Sequence, residues 1–108
     1  FSILLGFEDG SLGTIHYLAN GCRTFPKERV EVFCSGRTLQ LDNFRSLKGF
    51  GWPGFSRMSL WKQDKGHAAS VAAFVDALRK GSGSPIPFEE MMEVTALSLR
   101  LSRMAQAT

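Results

Sequence analysis

Residues 26–44 read PKERVEVFCSGRTLQLDNF. A lysine, a glutamate, a cysteine and an aspartate fall close together here, and enzymes use all four. The spacing gives them a plainer role. Val30, Val32 and Cys34 alternate with Glu31 and Phe33, the period of two that places residues on opposite faces of a strand. Leu39 and Leu41 alternate in the same way with Thr38, Gln40 and Asp42. Between the two runs lies SGR, residues 35–37, whose glycine suits a left-handed turn position. The stretch therefore predicts a β-hairpin, Arg29–Cys34 followed by Thr38–Phe44, with one half-polar face. On this reading Cys34 is a small buried strand residue and Lys27–Glu28 a solvated ion pair beside a turn. Asp42 is a polar residue at a strand end, because no second carboxylate is paired with it for acid–base work.

Upstream, Ser2–Phe7 reads as a strand. EDGS at residues 8–11 is a hairpin turn, and Leu12–Ala19 is the return strand. Leu12, Thr14, His16 and Leu18 share one face, and Gly13, Ile15, Tyr17 and Ala19 the other. Both faces carry apolar groups, which predicts a strand covered on both sides. Residues 20–27 connect to the next hairpin. Downstream, RSLKGFGWPGFSR (45–57) mixes glycines, a proline and aromatics. Met58–Lys62 reads either as a further strand or as part of an extended loop. From about Gly66 the texture changes to Ala, Leu and Met. Ala68, Val71, Ala72, Val75 and Leu78 form an apolar stripe on a helix running to Lys80, with Asp64 as its expected cap and Gly81 ending it. SGSPIP (82–87) is a stiff linker. A second helix begins near Phe88, with Glu89 and Glu90 at its positive end and a stripe of Met91, Val94, Leu97, Leu101 and Met104. Strands first and helices second make an α+β domain, one domain over residues 1–108.

Composition narrows the function. The 108 residues carry a net charge of +3. Most basic residues sit near an acid, as in Lys27, Glu28, Arg29, Glu31, so no basic face suited to nucleic acid is expected. No apolar run approaches the ~20 residues of a membrane span. FSILLGFEDG lacks the basic leader and cleavage site of a signal peptide. It opens directly on strand-like sequence without a methionine, as an excised piece of a longer chain would. Cys22 and Cys34 form no CxxC pair, and with His16 and His67 they give no zinc spacing. Two thiols in a chain with its own apolar core fit a reducing cytoplasm, so the expected location is cytoplasmic. His16 lies mid-strand without a triad and reads as structural. His67, at a helix start in DKGHAAS, can face a cleft or substrate and is the one substrate-binding candidate. Gly49, Gly51 and Gly54 lack the strand–loop–helix setting of a phosphate loop. Phe50, Trp52, Phe55 and Trp61 either stack on a ligand or close a core under the loop, and the latter is the commoner arrangement. Met91, Met92 and Met104 are ordinary helix packing.

Three segments carry a resemblance. DGSLGTIHY, KERVEVFCSGRTLQLDNF and FVDALRKGSGSPIPFEE, together spanning most of Phe7 to Leu101, resemble the C-terminal domain of the Gfo/Idh/MocA oxidoreductases. KGFGW and QDKGH resemble most the members fused behind a zinc-type alcohol dehydrogenase-like module. The resemblance implies a largely antiparallel open β-sheet with two C-terminal helices packed on one face. It also implies an N-terminal Rossmann domain elsewhere in the parent chain, which would bind NAD(P); this fragment would bind no cofactor and no metal. Lys27 stands in FPKER rather than in the family's EKP motif, so no catalytic residue is transferred and the fragment alone is expected to be inactive. The expected function is that of an accessory domain of an NAD(P)-dependent oxidoreductase acting on a sugar- or polyol-like substrate. It would supply cleft and subunit-packing surface, with homo-oligomerisation through the sheet face. The alternative is a non-enzymatic protein-interaction module using that face. A freestanding enzyme built on Cys34 or His67 ranks behind both.

Overall fold

In the computed structural model, which describes residues 1–106, the order of elements is six strands and then two helices. These are β1 (Ser2–Gly6), β2 (Leu12–His16), β3 (Arg29–Cys34), β4 (Arg37–Asp42), β5 (Ser46–Phe50), β6 (Arg57–Ser59), α1 (His67–Lys80) and α2 (Phe88–Gln106). The protein is thus α+β, with every strand pair antiparallel. The strands fall into two sheets, β1–β2 and β3–β4–β5–β6. The chain separates into two units. One is Phe1–Arg23 with the chain from Ser84 onward, and the other is Thr24–Gly83.

In the first unit, β1 and β2 pair from Ser2 opposite His16 to Gly6 opposite Leu12. The turn closes with Gly10 at φ 85°, the left-handed geometry that the DG pair predicts. Asp9 Oδ1 accepts from both the backbone N–H and the hydroxyl of Ser11. At the open end the Phe1 and Tyr17 rings stack with centroids 5.3 Å apart, and the Tyr17 N–H donates to the Phe1 carbonyl. β2 stops at His16, short of the expected Ala19.

The Asp9 turn makes the hairpin sensitive to pH. Its hydrogen bond from the Ser11 hydroxyl, then that from the Ser11 N–H, hold the carboxyl below its ordinary 3.8. A carboxylate depressed in the folded state stabilises above its unfolded value, and that contribution fades as pH falls through the folded value. The hairpin is therefore expected to loosen on acidification below pH ~4. An NMR titration of the Ser11 amide should show its midpoint below 3.8, and Asp9→Asn should abolish the step. A midpoint at or above the ordinary value would refute the assignment.

The second unit contains the opening stretch of sequence. Its register places Glu31, Gln40, Lys48 and Arg57 in one row across four strands, with Arg29, Asp42, Ser46 and Ser59 in the next. Alternation puts Val30, Val32, Leu39, Leu41, Leu47 and Met58 on the other face. The half-polar hairpin expected from residues 26–44 is what forms. Ser35 and Gly36 join β3 to β4, both at positive φ. β4 ends at Asp42 rather than Phe44, because Asn43 and Phe44 turn the chain at φ 52° and 50°, and the Arg45 N–H returns to the Asp42 carbonyl. That turn creates β5, so residues 45–62 hold two strands, β5 and β6, and an aromatic loop between them. The strand foreseen at Met58–Lys62 is shorter and begins one residue earlier, at Arg57.

That loop folds back on its sheet. Phe55 and Trp52 lie over Gly49, where a Cβ would come within 2.6 Å of the Phe55 ring and 3.2 Å of Trp52. Trp52 Nε1 donates to the Thr38 carbonyl at 3.0 Å, and the Arg37 guanidinium sits 5.1 Å from the indole centroid. The aromatics close over the sheet, the second of the two readings open from sequence. Trp61 and Phe50 are the exceptions, 89% and 54% exposed.

α1 begins at His67, one residue after the expected start. Gly66, in a left-handed conformation, occupies the N-cap position without a side-chain bond. Asp64 is not the cap: its Oδ1 accepts from the Gly66 N–H and shapes the turn ahead of the helix. Gly81 terminates α1 with φ 62°, its N–H bonding the Leu78 carbonyl while that of Ser82 bonds Ala77. Among the described residues, neither helix makes backbone contact with the strands of its own unit.

None of the described side chains is fully buried. Cys34, expected to be buried, is exposed, and neither cysteine is in a disulfide. Two separately compact bodies of these sizes would together expose roughly 7,200 Å². The chain exposes 9742 Å². The excess of about 2,500 Å² on one chain corresponds to ~5,000 Å² over two partners, the upper end of what permanent protein–protein interfaces bury.

Candidate functional site

His67, the substrate-binding candidate, opens α1 and is exposed. Its neighbours in the chain tie the helix entrance to the end of the four-stranded sheet. Lys65 pairs with Glu28, just before β3. The Lys27–Glu28 pair expected from sequence is therefore corrected: the glutamate finds a lysine 37 positions away. The Lys65 ammonium also lies 6.0 Å from the Phe44 ring centroid. Gln63 Nε2 donates to the carbonyl and side-chain oxygens of Asn43, at 3.0 and 2.9 Å. The Asp64 N–H donates to the Phe44 carbonyl, and the Asn43 N–H to that of Glu28.

These bonds explain how a phenylalanine holds φ 50°. A bulky side chain at positive φ costs on the order of 1 kcal/mol or more. Residues 63–65 supply four of the contacts that hold the turn: two from the Gln63 amide, one from the Asp64 backbone and one from the Lys65 side chain. The corner thus presents a lysine, a glutamate and an asparagine carboxamide on a braced framework, and His67 follows Lys65 by two residues in the chain. Glu28 Oε2 is buried without a hydrogen-bond partner. Among the described residues His67 bonds to no protein group, so both its ring nitrogens can serve a ligand. Chemically the corner offers donors and acceptors of both signs, the set that hydroxyl-rich molecules engage.

The other sequence candidates lie elsewhere. Asp42 is a strand-end residue as expected, accepting from Gln40 at 3.0 Å and lying 3.7 Å from Arg29. His16 is structural: its Nδ1 shares a 2.8 Å hydrogen bond with Ser2 Oγ across the β1–β2 pair. A serine beside a histidine also begins a nucleophile–base pair, but among the described residues no third group orients this imidazole, so it reads as a cross-strand tie. The partnership of Glu28, Asn43, Phe44 and Gln63 was not visible in the sequence. The one local signal was LDNF at a strand end, where Asn readily takes positive φ.

The Gly49–Gly54 segment does not suit the phosphates of a dinucleotide. Gly49, Gly51 and Gly54 sit on and after β5 in a strand-to-strand connection, not before a helix. Phe55 and Trp52 fill the space above Gly49 that a phosphate would need. Among the described residues no cluster of His, Cys, Asp and Glu could hold a metal ion, and no helix is long and apolar enough to cross a membrane.

Comparison with protein-family models, with curated proteins and with solved structures returns no match.

Proposed function

We propose that this chain is the C-terminal accessory domain of an NAD(P)-dependent oxidoreductase of the Gfo/Idh/MocA type, acting on a sugar- or polyol-like substrate. Its work is to wall one side of a substrate cleft and to pack against its neighbours. The cofactor belongs to a Rossmann domain of the parent protein. One observation carries the reading: two residues before His67 opens α1, Lys65 pairs with Glu28 at the edge of a braced antiparallel sheet. The resemblance of KERVEVFCSGRTLQLDNF and QDKGH to that family supports it. So does the half-exposed apolar face of Val30, Val32 and Met58, a surface that a second subunit can cover.

The test is ligand-observed and protein-observed NMR on the chain itself, with myo-inositol and glucose as probes. Weak binding is expected, with shifts confined to the His67 ring and the Lys65 and Gln63 amides, and lost in His67→Ala. Shifts elsewhere, or none at ~50 mM probe, would remove the cleft role. Saturable micromolar binding of NADPH to the chain would show a cofactor site of its own and overturn the division of labour.

A further inference from the structure

α2 carries a second apolar stripe besides Met91, Val94, Leu97, Leu101 and Met104. Met92, Ala96 and Leu99 follow each other at steps of four and three along another side of the helix, with Glu89 and Arg103 completing the seam at its ends and Phe88 on its flank. That spacing is the seam of a helix–helix pair. Phe88, Met92 and Leu99 are 64%, 53% and 56% exposed. A helix that meets one partner needs one stripe, so two stripes offer two contacts.

Shape and charge say what that contact is. An open groove of about 380 Å³ runs over Ala96, Leu99, Arg100, Arg103 and Met104. The first four stand at i, i+3, i+4 and i+7, the four-residue hole that receives a knob from a facing helix. Glu89, Glu90 and Glu93 occupy the N-terminal half of α2, and Arg100 and Arg103 the C-terminal half. Such a helix is complementary to itself reversed. We propose that this stripe joins two copies of the chain, α2 against α2 in antiparallel orientation, about a two-fold axis at Ala96. Glu89 and Arg103 lie seven residues on either side of that axis, so each meets the other in the second copy, twice over. Met92 of each copy then stands over the Ala96–Arg103 hole. Ala96 at the axis offers only a methyl group, which lets the backbones approach closely. A parallel pair would set glutamate against glutamate and arginine against arginine, and like-charge repulsion disfavours it. A partner of a single charge sign would repel one half of the stripe. This surface shares no residue with the sheet face, and the pairing stands whether or not the oxidoreductase reading holds.

Sedimentation of the 108-residue chain tests it, with circular dichroism to confirm that each variant keeps its helices. Glu89→Arg and Arg103→Glu should each weaken dimerisation by at least ~10-fold, since each sets like charges opposite one another. The double variant E89R/R103E restores both pairs and should return to within ~3-fold of the parent. In a background with Cys22 and Cys34 changed to Ser, Ala96→Cys should form an intermolecular disulfide under mild oxidation, because the symmetric position meets itself. A chain that stays monomeric at ~200 µM overturns the pairing. So does a dimer indifferent to both single charge reversals, or one that the double variant fails to rescue. Dissociation by Val32→Lys with no effect of the α2 reversals assigns association to the sheet face and also rejects the helix pair.

Discussion

Replacing Gly49 with alanine is expected to destabilise the four-stranded sheet by about 2 kcal/mol, despite adding a single methyl group to a strand. Away from crowding, the change would favour folding by roughly 0.5–1 kcal/mol, because glycine loses more backbone freedom than alanine. Steric crowding reverses the sign. The new Cβ would lie 2.6 Å from Phe55 Cδ1 and 3.0 Å from Cε1. Cδ1 is close to the Phe55 backbone, so the ring cannot swing its far end aside and the loop must move. That loop is anchored by the Gly49 N–H to the Ser56 carbonyl at 2.9 Å, and moving it strains the β5–β6 connection. Urea unfolding followed by far-ultraviolet circular dichroism measures the effect. Phe55→Ala in the Gly49→Ala background should recover part of the loss, a positive coupling between neighbours in contact. Identical midpoints for parent and Gly49→Ala would mean that Phe55 does not rest on the strand.

Trp52→Ala should cost more, about 2–4 kcal/mol, somewhat below the range for a wholly buried aromatic because this indole is only half-buried. Three contributions disappear together: the area covering Gly49, the 3.0 Å bond to the Thr38 carbonyl and the stack beneath Arg37. Trp52→Phe separates them. It keeps most of the ring and removes the donor, so a loss near ~1 kcal/mol is expected. The two tryptophans make the measurement direct. Trp61 is almost wholly exposed and emits as a solvated indole whether the chain is folded or not. A Trp61→Phe background should retain the unfolding red shift through Trp52. Loss of the shift in that background, or a Trp52→Ala midpoint equal to the parent's, would show the aromatic loop to be loose.

The strands of the opening stretch were legible because their signals are local. Period-two alternation from Val30 to Asp42 and the glycine of SGR act between near neighbours in the chain, and β3 occupies the span read for it. Gly81 ended α1 where expected for the same reason. β5 was missed because SLKGF has neither alternation nor β-branched residues. It is a strand because β4 already exists and the Asn43–Phe44 turn delivers the chain beside it. Asp64 was misread as a cap because an aspartate before a helix can bond either the first helical turn or the turn ahead of it, and only the chain's path decides which. Of the candidate site, His67 at a helix entrance was visible. The corner that precedes it was not, since Glu28, Asn43 and Lys65 meet across tens of residues.

Sequence alone determined the class of architecture, antiparallel hairpins followed by two helices. Hydrophobic period, turn chemistry and helix-ending glycine each depend on a few consecutive residues, and such short-range preferences survive without knowledge of the rest of the chain. The tertiary structure alone decided that the strands divide between two sheets, that Lys65 rather than Lys27 neutralises Glu28, and that aromatic rings occupy the space above Gly49. Those outcomes depend on which distant groups arrive at the same place. Several lysines and rings along the chain have the right chemistry, and only the path of the backbone selects among them.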